Sequence, residues 1–301
     1  MRLDERIREL KVQKKAIILA HNYQRPEIQD LADFVGDSLE LAKNARNATA
    51  PLIVFCGVLF MAETAKILNP DRKVLIPVRD AACPLADQLT PGMLLEAKRA
   101  HPTAPVVLYI NSTAACKALA DIICTSANAV EVVRSLPDRQ VIVGPDANLA
   151  AYIQSRLPEK EIIPIPPAGH CYVHECFTRD DVLVARERGD RVLCHPECRP
   201  EVQAEADIVV STGGMVKALR GHPPGSRWTI LTEREMAFRL KTLYPDQVVH
   251  AREDAVCRDM KKITLPDLLR SLEKEQYEVI VPAEIMEKAR RAIERMLVIG
   301  R

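Results

Sequence analysis

Aromatic residues are scarce: one Trp, six Tyr and five Phe make up 4% of the 301 residues. Packing must therefore rest on Leu, Ile, Val and Ala, which an apolar content of 48% supplies. Neither sign of charge prevails, since 42 basic and 41 acidic residues leave a net charge of +1. With no basic stripe or block to grip a polyanion, a nucleic-acid partner is excluded. No apolar run approaches the roughly 18 residues of a membrane span, so no membrane role is expected. Met1–Lys15 is charged, with Leu3, Ile7 and Leu10 at helical spacing, and reads as an amphipathic helix rather than a secretory leader. The expectation is a cytoplasmic protein. Also lacking is any C-x-x-C pair: Cys194 and Cys198 stand one residue too far apart, Cys171 and Cys176 two. Structural zinc normally draws its ligands from such close pairs. An odd total of nine cysteines argues against a disulfide framework and for reduced thiols or metal ligands.

What is present is a pattern written three times. Ala32-Asp33, Ala120-Asp121 and Ala206-Asp207 each lead into an apolar run that reaches Ser38, Ser126 or Thr212 five positions after the Asp. Fifty positions after each Asp stands a cysteine, Cys83, Cys171 or Cys257, so the copies are offset by 88 and 86 residues. A fixed internal period marks a repeated structural unit. Each copy opens with an apolar run ending on a polar residue: 17–20 before His21, 106–110 before Asn111, and 192–194 before His195. Second runs follow at Leu52–Cys56, Val141–Val143 and Thr229–Leu231, and third runs at 74–76, 162–163 and 248–249.

These runs lack polar alternation, as parallel strands covered on both faces do. Helical stretches at Ser38–Ala48, Phe60–Leu68, Ala147–Leu157 and Arg234–Leu243 separate them. The predicted fold is α/β: three homologous three-layer α/β/α units with parallel sheets around a pseudo-three-fold axis. The units are expected at residues 1–104, 105–189 and 190–274. A C-terminal helix within 275–301 carries Ile285, Met286, Ala289, Ile293 and Leu297 on one face and is expected to pack back on the first unit.

Ligands of open α/β sheets bind beyond the carboxyl ends of the strands. His21, Tyr23, Tyr109, Asn111, His195 and Glu197 stand at those ends, and Ser38, Ser126, Ser211 and Thr212 open the following helices. There a hydroxyl either caps the helix or joins exposed N–H groups in holding an anion. Three thiolates meeting on the axis leave one coordination position of a metal centre open. A [4Fe–4S] cluster fits ligands drawn from distant segments best; a zinc on three cysteines with an adjacent histidine stays open as an alternative.

The ordered motifs resemble those of the quinolinate synthase (NadA) family across essentially the whole chain. They are His21-Asn22-Tyr23, Gly36-Asp37-Ser38, Cys83-Pro84-Leu85-Ala86-Asp87, Tyr109-Ile110-Asn111-Ser112 and Cys171-Tyr172-Val173-His174-Glu175. His195-Pro196-Glu197-Cys198, Ser211-Thr212-Gly213-Gly214, and Cys257 ahead of Met260-Lys261-Lys262-Ile263-Thr264 complete the set. The resemblance implies a transferase that condenses iminoaspartate with dihydroxyacetone phosphate to quinolinate, phosphate and water in NAD biosynthesis. It implies a [4Fe–4S] cluster on Cys83, Cys171 and Cys257, and an aspartate oxidase or dehydrogenase supplying iminoaspartate. Glu197 and Tyr23 are expected to move protons, with His195 and Tyr109 assisting. His21, Ser38, Asn111, Ser126, His174, Ser211 and Thr212 are expected to hold carboxylates and phosphate, together with Tyr109, His195 and Glu197. A different cluster-dependent hydro-lyase and an iron–sulfur sensor are the rival readings. The loop Tyr23–Pro26 is a candidate lid.

Overall fold

The computed structural model describes residues 2–299. Met1, Gly300 and Arg301, the outer ends of the expected first unit and C-terminal helix, lie outside the described residues. Among the described residues, three four-stranded sheets are present, each entirely parallel. The first holds β1 (Ala16–His21), β2 (Phe34–Gly36), β3 (Leu52–Cys56) and β4 (Lys73–Leu75). The second holds β5 (Val106–Tyr109), β6 (Ile122–Cys124), β7 (Gln140–Gly144) and β8 (Glu161–Pro164). The third holds β9 (Arg191–Cys194), β10 (Ile208–Val209), β11 (Arg227–Leu231) and β12 (Val248–Ala251). Within each sheet the second strand lies outermost beside the first, followed by the third and fourth, so one topology recurs three times. Every residue of β3 is buried, as expected of a strand with helices on both faces.

The repeated aspartate has a structural task that explains its place. Asp33, Asp121 and Asp207 each accept a hydrogen bond from the backbone N–H of a residue 15 positions earlier, Ile18, Val106 and Val192, at 2.8, 2.8 and 2.7 Å. Their own N–H groups donate back to the carbonyls of the same three residues. The Asp thus clamps the entry to the short outer strand onto the first strand, which sets where the strand ends and the next helix begins. Replacing Asp121 by Ala leaves a strand N–H without its acceptor. A loss of about 1–3 kcal/mol is expected in chemical denaturation.

Helices form where the sequence placed them: Ser38–Asn47, Leu59–Leu68, Ala147–Arg156 and Glu235–Leu243. The N-terminal helix, Leu3–Gln13, buries Ile7 and Leu10 while Leu3 stays exposed. Beyond the third sheet, residues 277–279 return to pair with the β4 edge of the first sheet, Val279 donating to the carbonyl of Val74 at 2.8 Å. The C-terminal helix, Ala283–Val298, buries Ala289, Ile293 and Leu297. It packs against the helix Leu59–Leu68 beside the first sheet, and also against β6 and the helix Ala114–Lys117 of the second. It therefore bridges two sheets rather than resting on one.

Candidate active site

The strand ends of all three sheets open onto one cavity, and the three period-related cysteines line it together. Cys83 and Cys171 each precede a short helix, Pro84–Asp87 and Tyr172–Glu175, and Cys257 precedes the turn Met260–Lys262. Neither Cys83 nor Cys171 caps its helix through sulfur, though the nearby amides of Ala86, His174 and Met260 ease ionisation of the three thiols. Burial nevertheless pushes all three thiols up, Cys257 to about 11; the Cys257 sulfur adds to the effect at Cys83 and Cys171, and the Cys83 sulfur adds to it at Cys171. Thiolates at these positions call for a positive charge in their midst. A cationic metal centre is what such a donor set suits.

Two strand-end histidines are built alike. His21 Nδ1 accepts the N–H of Tyr23 at 3.2 Å, and His195 Nδ1 accepts that of Glu197 at 3.3 Å. Each ring therefore carries its proton on Nε2 and keeps a donor for the cavity. Burial before all else holds both imidazoles down to about 3, so they stay neutral at any working pH. Because both bind protons more readily when unfolded, their contribution is complete above about pH 6.5 and is lost as the pH falls toward 3. Each histidine is expected to cost about 2 kcal/mol of stability between pH 6.5 and 5, measurable by denaturant titration at the two pH values.

Glu197 is the centre of the polar groups. It is buried; His174 Nδ1 stands 3.0 Å from Oε2, and the Tyr109 hydroxyl donates to Oε1. Burial alone raises its carboxyl, but His174, His195 and the Tyr109 hydroxyl together outweigh that and hold it at about 2. Cys171, His174 and Glu197 present their donor atoms within 4.8 Å of one another. Tyr23 and Tyr109 are both pushed well above the ordinary phenol value, by burial first and by the Glu197 charge next. Both therefore stay protonated and serve as donors.

At the helix starts the structure separates residues that the sequence grouped. Asp37 caps Ser38–Asn47, which leaves the Ser38 hydroxyl free at the cavity wall. Ser126 and Thr212 also line the cavity. Ser211 does not: its hydroxyl caps Thr212–Leu219 and donates to Asp37 Oδ2 at 3.2 Å. His21, Tyr23, Tyr109, Asn111, His174, His195 and Glu197 all face the cavity, and the buried Asn111 Oδ1 has no partner among the described residues.

Asp37 and Glu233 line the cavity without having been singled out. Asp37 lies within Gly36-Asp37-Ser38, whereas Glu233 follows β11 with no local signal. Glu233 is fully buried; burial raises its carboxyl, and Lys261 at 2.8 Å opposes that. The pair joins two segments, since Glu233 accepts the Cys257 N–H at 3.2 Å while Lys261 donates to the carbonyl of Tyr23. Arg25 adds a 2.7 Å bond to the carbonyl of Lys261, so the Tyr23 loop is fastened to the third unit. Lys261→Met strands a buried carboxylate and is expected to cost about 3–5 kcal/mol. Adding Glu233→Leu should recover most of that in thermal denaturation.

Fold and cavity together define a class: triplicated α/β proteins whose three sheets share one thiol-lined axial site. A family model described as quinolinate synthetase A protein (NadA) matches residues 5–298. Proteins named quinolinate synthase from Pyrococcus abyssi and Pyrococcus horikoshii are 55% and 56% identical over 300 residues, covering 99% of both chains in each comparison. One of the same name from Thermotoga maritima is 49% identical over 294 residues, 97% of this chain and 98% of its own. The chain belongs to the quinolinate synthetase A family.

Proposed function

We propose that the cavity condenses iminoaspartate with dihydroxyacetone phosphate to give quinolinate, phosphate and water, as a transferase step of NAD biosynthesis. The convergence of the three period-related thiols on the same cavity as Glu197 and two protonated tyrosines carries this reading. Cys83, Cys171 and Cys257 would hold a [4Fe–4S] cluster. When bound, a cluster with three protein ligands supplies a Lewis-acidic iron with an open position.

The protein's own groups divide the remaining work. His21 and His195, neutral with Nε2–H toward the cavity, donate to carboxylates and phosphate oxygens. Ser38, Asn111, Ser126 and Thr212 add neutral donors around the same space, and His174 holds Glu197 in place. Ser211 acts one step back, by holding Asp37. Glu197, ionised, accepts protons from substrate carbon or nitrogen. Tyr23 donates to departing oxygens, assisted by Tyr109 and His195. Such acid–base help is worth about 10²–10⁴ in rate.

The three units are taken as residues 1–104, 105–189 and 190–274, closed by the helix within 275–301. Iminoaspartate would come from an aspartate oxidase or dehydrogenase. Nine cysteines, all unpaired, suit a reducing cytoplasm, and no described helix is long and apolar enough to cross a membrane.

The test is an anaerobic assay for quinolinate with both substrates and with each omitted in turn. Product that requires both is the expected result. Iron-loaded protein that turns over a lone hydroxy acid, and makes no quinolinate, would overturn the proposal in favour of a hydro-lyase.

A further inference from the structure

Thr232 directly follows β11 and is fully buried. Its Oγ1 lies 2.6 Å from the Tyr23 hydroxyl and 2.9 Å from His174 Nε2. These are the sole hydrogen-bond partners that Tyr23 Oη and His174 Nε2 have among the described residues. On the far side of the imidazole, Nδ1 stands 3.0 Å from Glu197 Oε2, and Glu197 Oε1 takes the Tyr109 hydroxyl. A line of polar side chains therefore runs Tyr23–Thr232–His174–Glu197–Tyr109, hydrogen-bonded at Tyr23–Thr232, Thr232–His174 and Glu197–Tyr109 and closed by the 3.0 Å approach of His174 to Glu197. Its members come from all three repeats, and it ends at a tyrosine hydroxyl on each side.

We infer that Thr232 is a positioning residue that sets the Tyr23 hydroxyl and the His174 ring in register with Glu197. A threonine hydroxyl has one proton to give and two lone pairs to receive with, so it serves two partners at once. Its β-branch restricts χ1, and its position at a strand end fixes the backbone, which makes it a stiff connector. Tyr23 also needs such a connector. Its ring meets His21 edge-on with centroids 4.5 Å apart, which holds the ring but not the hydroxyl. Without the threonine hydroxyl, a buried phenol and a buried ring nitrogen both lose their partner, and each is free to seek another.

This inference rests on the proposed roles of Tyr23 and Glu197. Thr232→Val keeps the shape and removes the hydroxyl; Thr232→Ser keeps the hydroxyl. With cofactor-loaded protein, Val is expected to lower kcat about ten- to a hundredfold, within the range of acid–base groups. KM for either substrate should change little, and Ser should retain most of the parent rate. In a Tyr23→Phe background the Val change should cost several-fold less than in the parent, because the part of its effect that passes through Tyr23 is already lost. A purely structural residue would instead multiply its loss in both backgrounds, and that result would overturn the inference, as would a Val variant with parental kcat. Iron content and melting temperature equal to the parent's separate these outcomes from misfolding. If Val does not fold, Thr232→Ala takes its place in the same cycle. A parent that makes no quinolinate sinks the proposed function instead. The connector is then judged from crystals of the Val variant, where an unmoved Tyr23 hydroxyl and His174 ring would overturn it.

Discussion

Changing any one of Cys83, Cys171 or Cys257 to Ser is expected to leave the protein unable to hold the proposed cluster and to abolish quinolinate formation. The three thiols stand at equivalent places in the three repeats, each fifty residues after its Asp, and all three line one cavity. A serine hydroxyl offers neither the softness nor the negative charge that an iron–sulfur core requires. Loss of a Lewis acid worth several kcal/mol corresponds to a rate loss on the order of a thousandfold or more. Cys176→Ser is the matched control. That thiol is half-buried too, but it donates to the carbonyl of Val173 at 2.8 Å and does not line the cavity. It should keep both iron and activity. Iron and sulfide analysis beside the assay decides the matter, and a Cys83, Cys171 or Cys257 variant with full iron and parental turnover would remove that residue from the ligand set.

Glu197→Gln should leave the fold intact and lower kcat by about 10²–10⁴. The carboxylate has two acceptor faces in use, Oε2 toward His174 and Oε1 under the Tyr109 hydroxyl. An amide of the same shape keeps one acceptor and turns its NH₂ on the other partner. It also removes the negative charge that helps hold both tyrosines protonated. Since Glu197 is ionised down to about pH 2, the acid limb of the parent's kcat profile should not report this group. Steady-state kinetics over pH 6 to 9 on both proteins supplies the comparison. A variant within a few-fold of the parent would move proton transfer to other residues.

Much of this was legible because the chain repeats. One Asp-to-Cys interval says nothing, but three equal ones located Cys83, Cys171 and Cys257, and the structure brings these residues to one cavity. The strand-end polar residues were legible for the same reason, since apolar runs end on them in every copy. The outer strands β2, β6 and β10 were seen only as apolar runs. With two or three residues each, they are too short for periodicity and depend on the Asp clamp across to the first strand. Ser211 and Thr212 were inseparable in sequence, because which hydroxyl caps a helix turns on backbone geometry. Thr232, Glu233 and Lys261 were beyond reach for a further reason. Thr232 and Lys261 act through contacts with the first unit, over separations such as the 209 residues from Tyr23 to Thr232, and Glu233 acts through Lys261.

Mössbauer spectroscopy of the anaerobically reconstituted protein, with and without quinolinate, tests the three-thiolate site most directly. Three protein ligands leave one iron chemically unlike its neighbours, so one component should stand apart in the free protein and shift when quinolinate is added. A cluster whose irons are all equivalent and indifferent to quinolinate, or a lone zinc in its place, would contradict an open position on the axis.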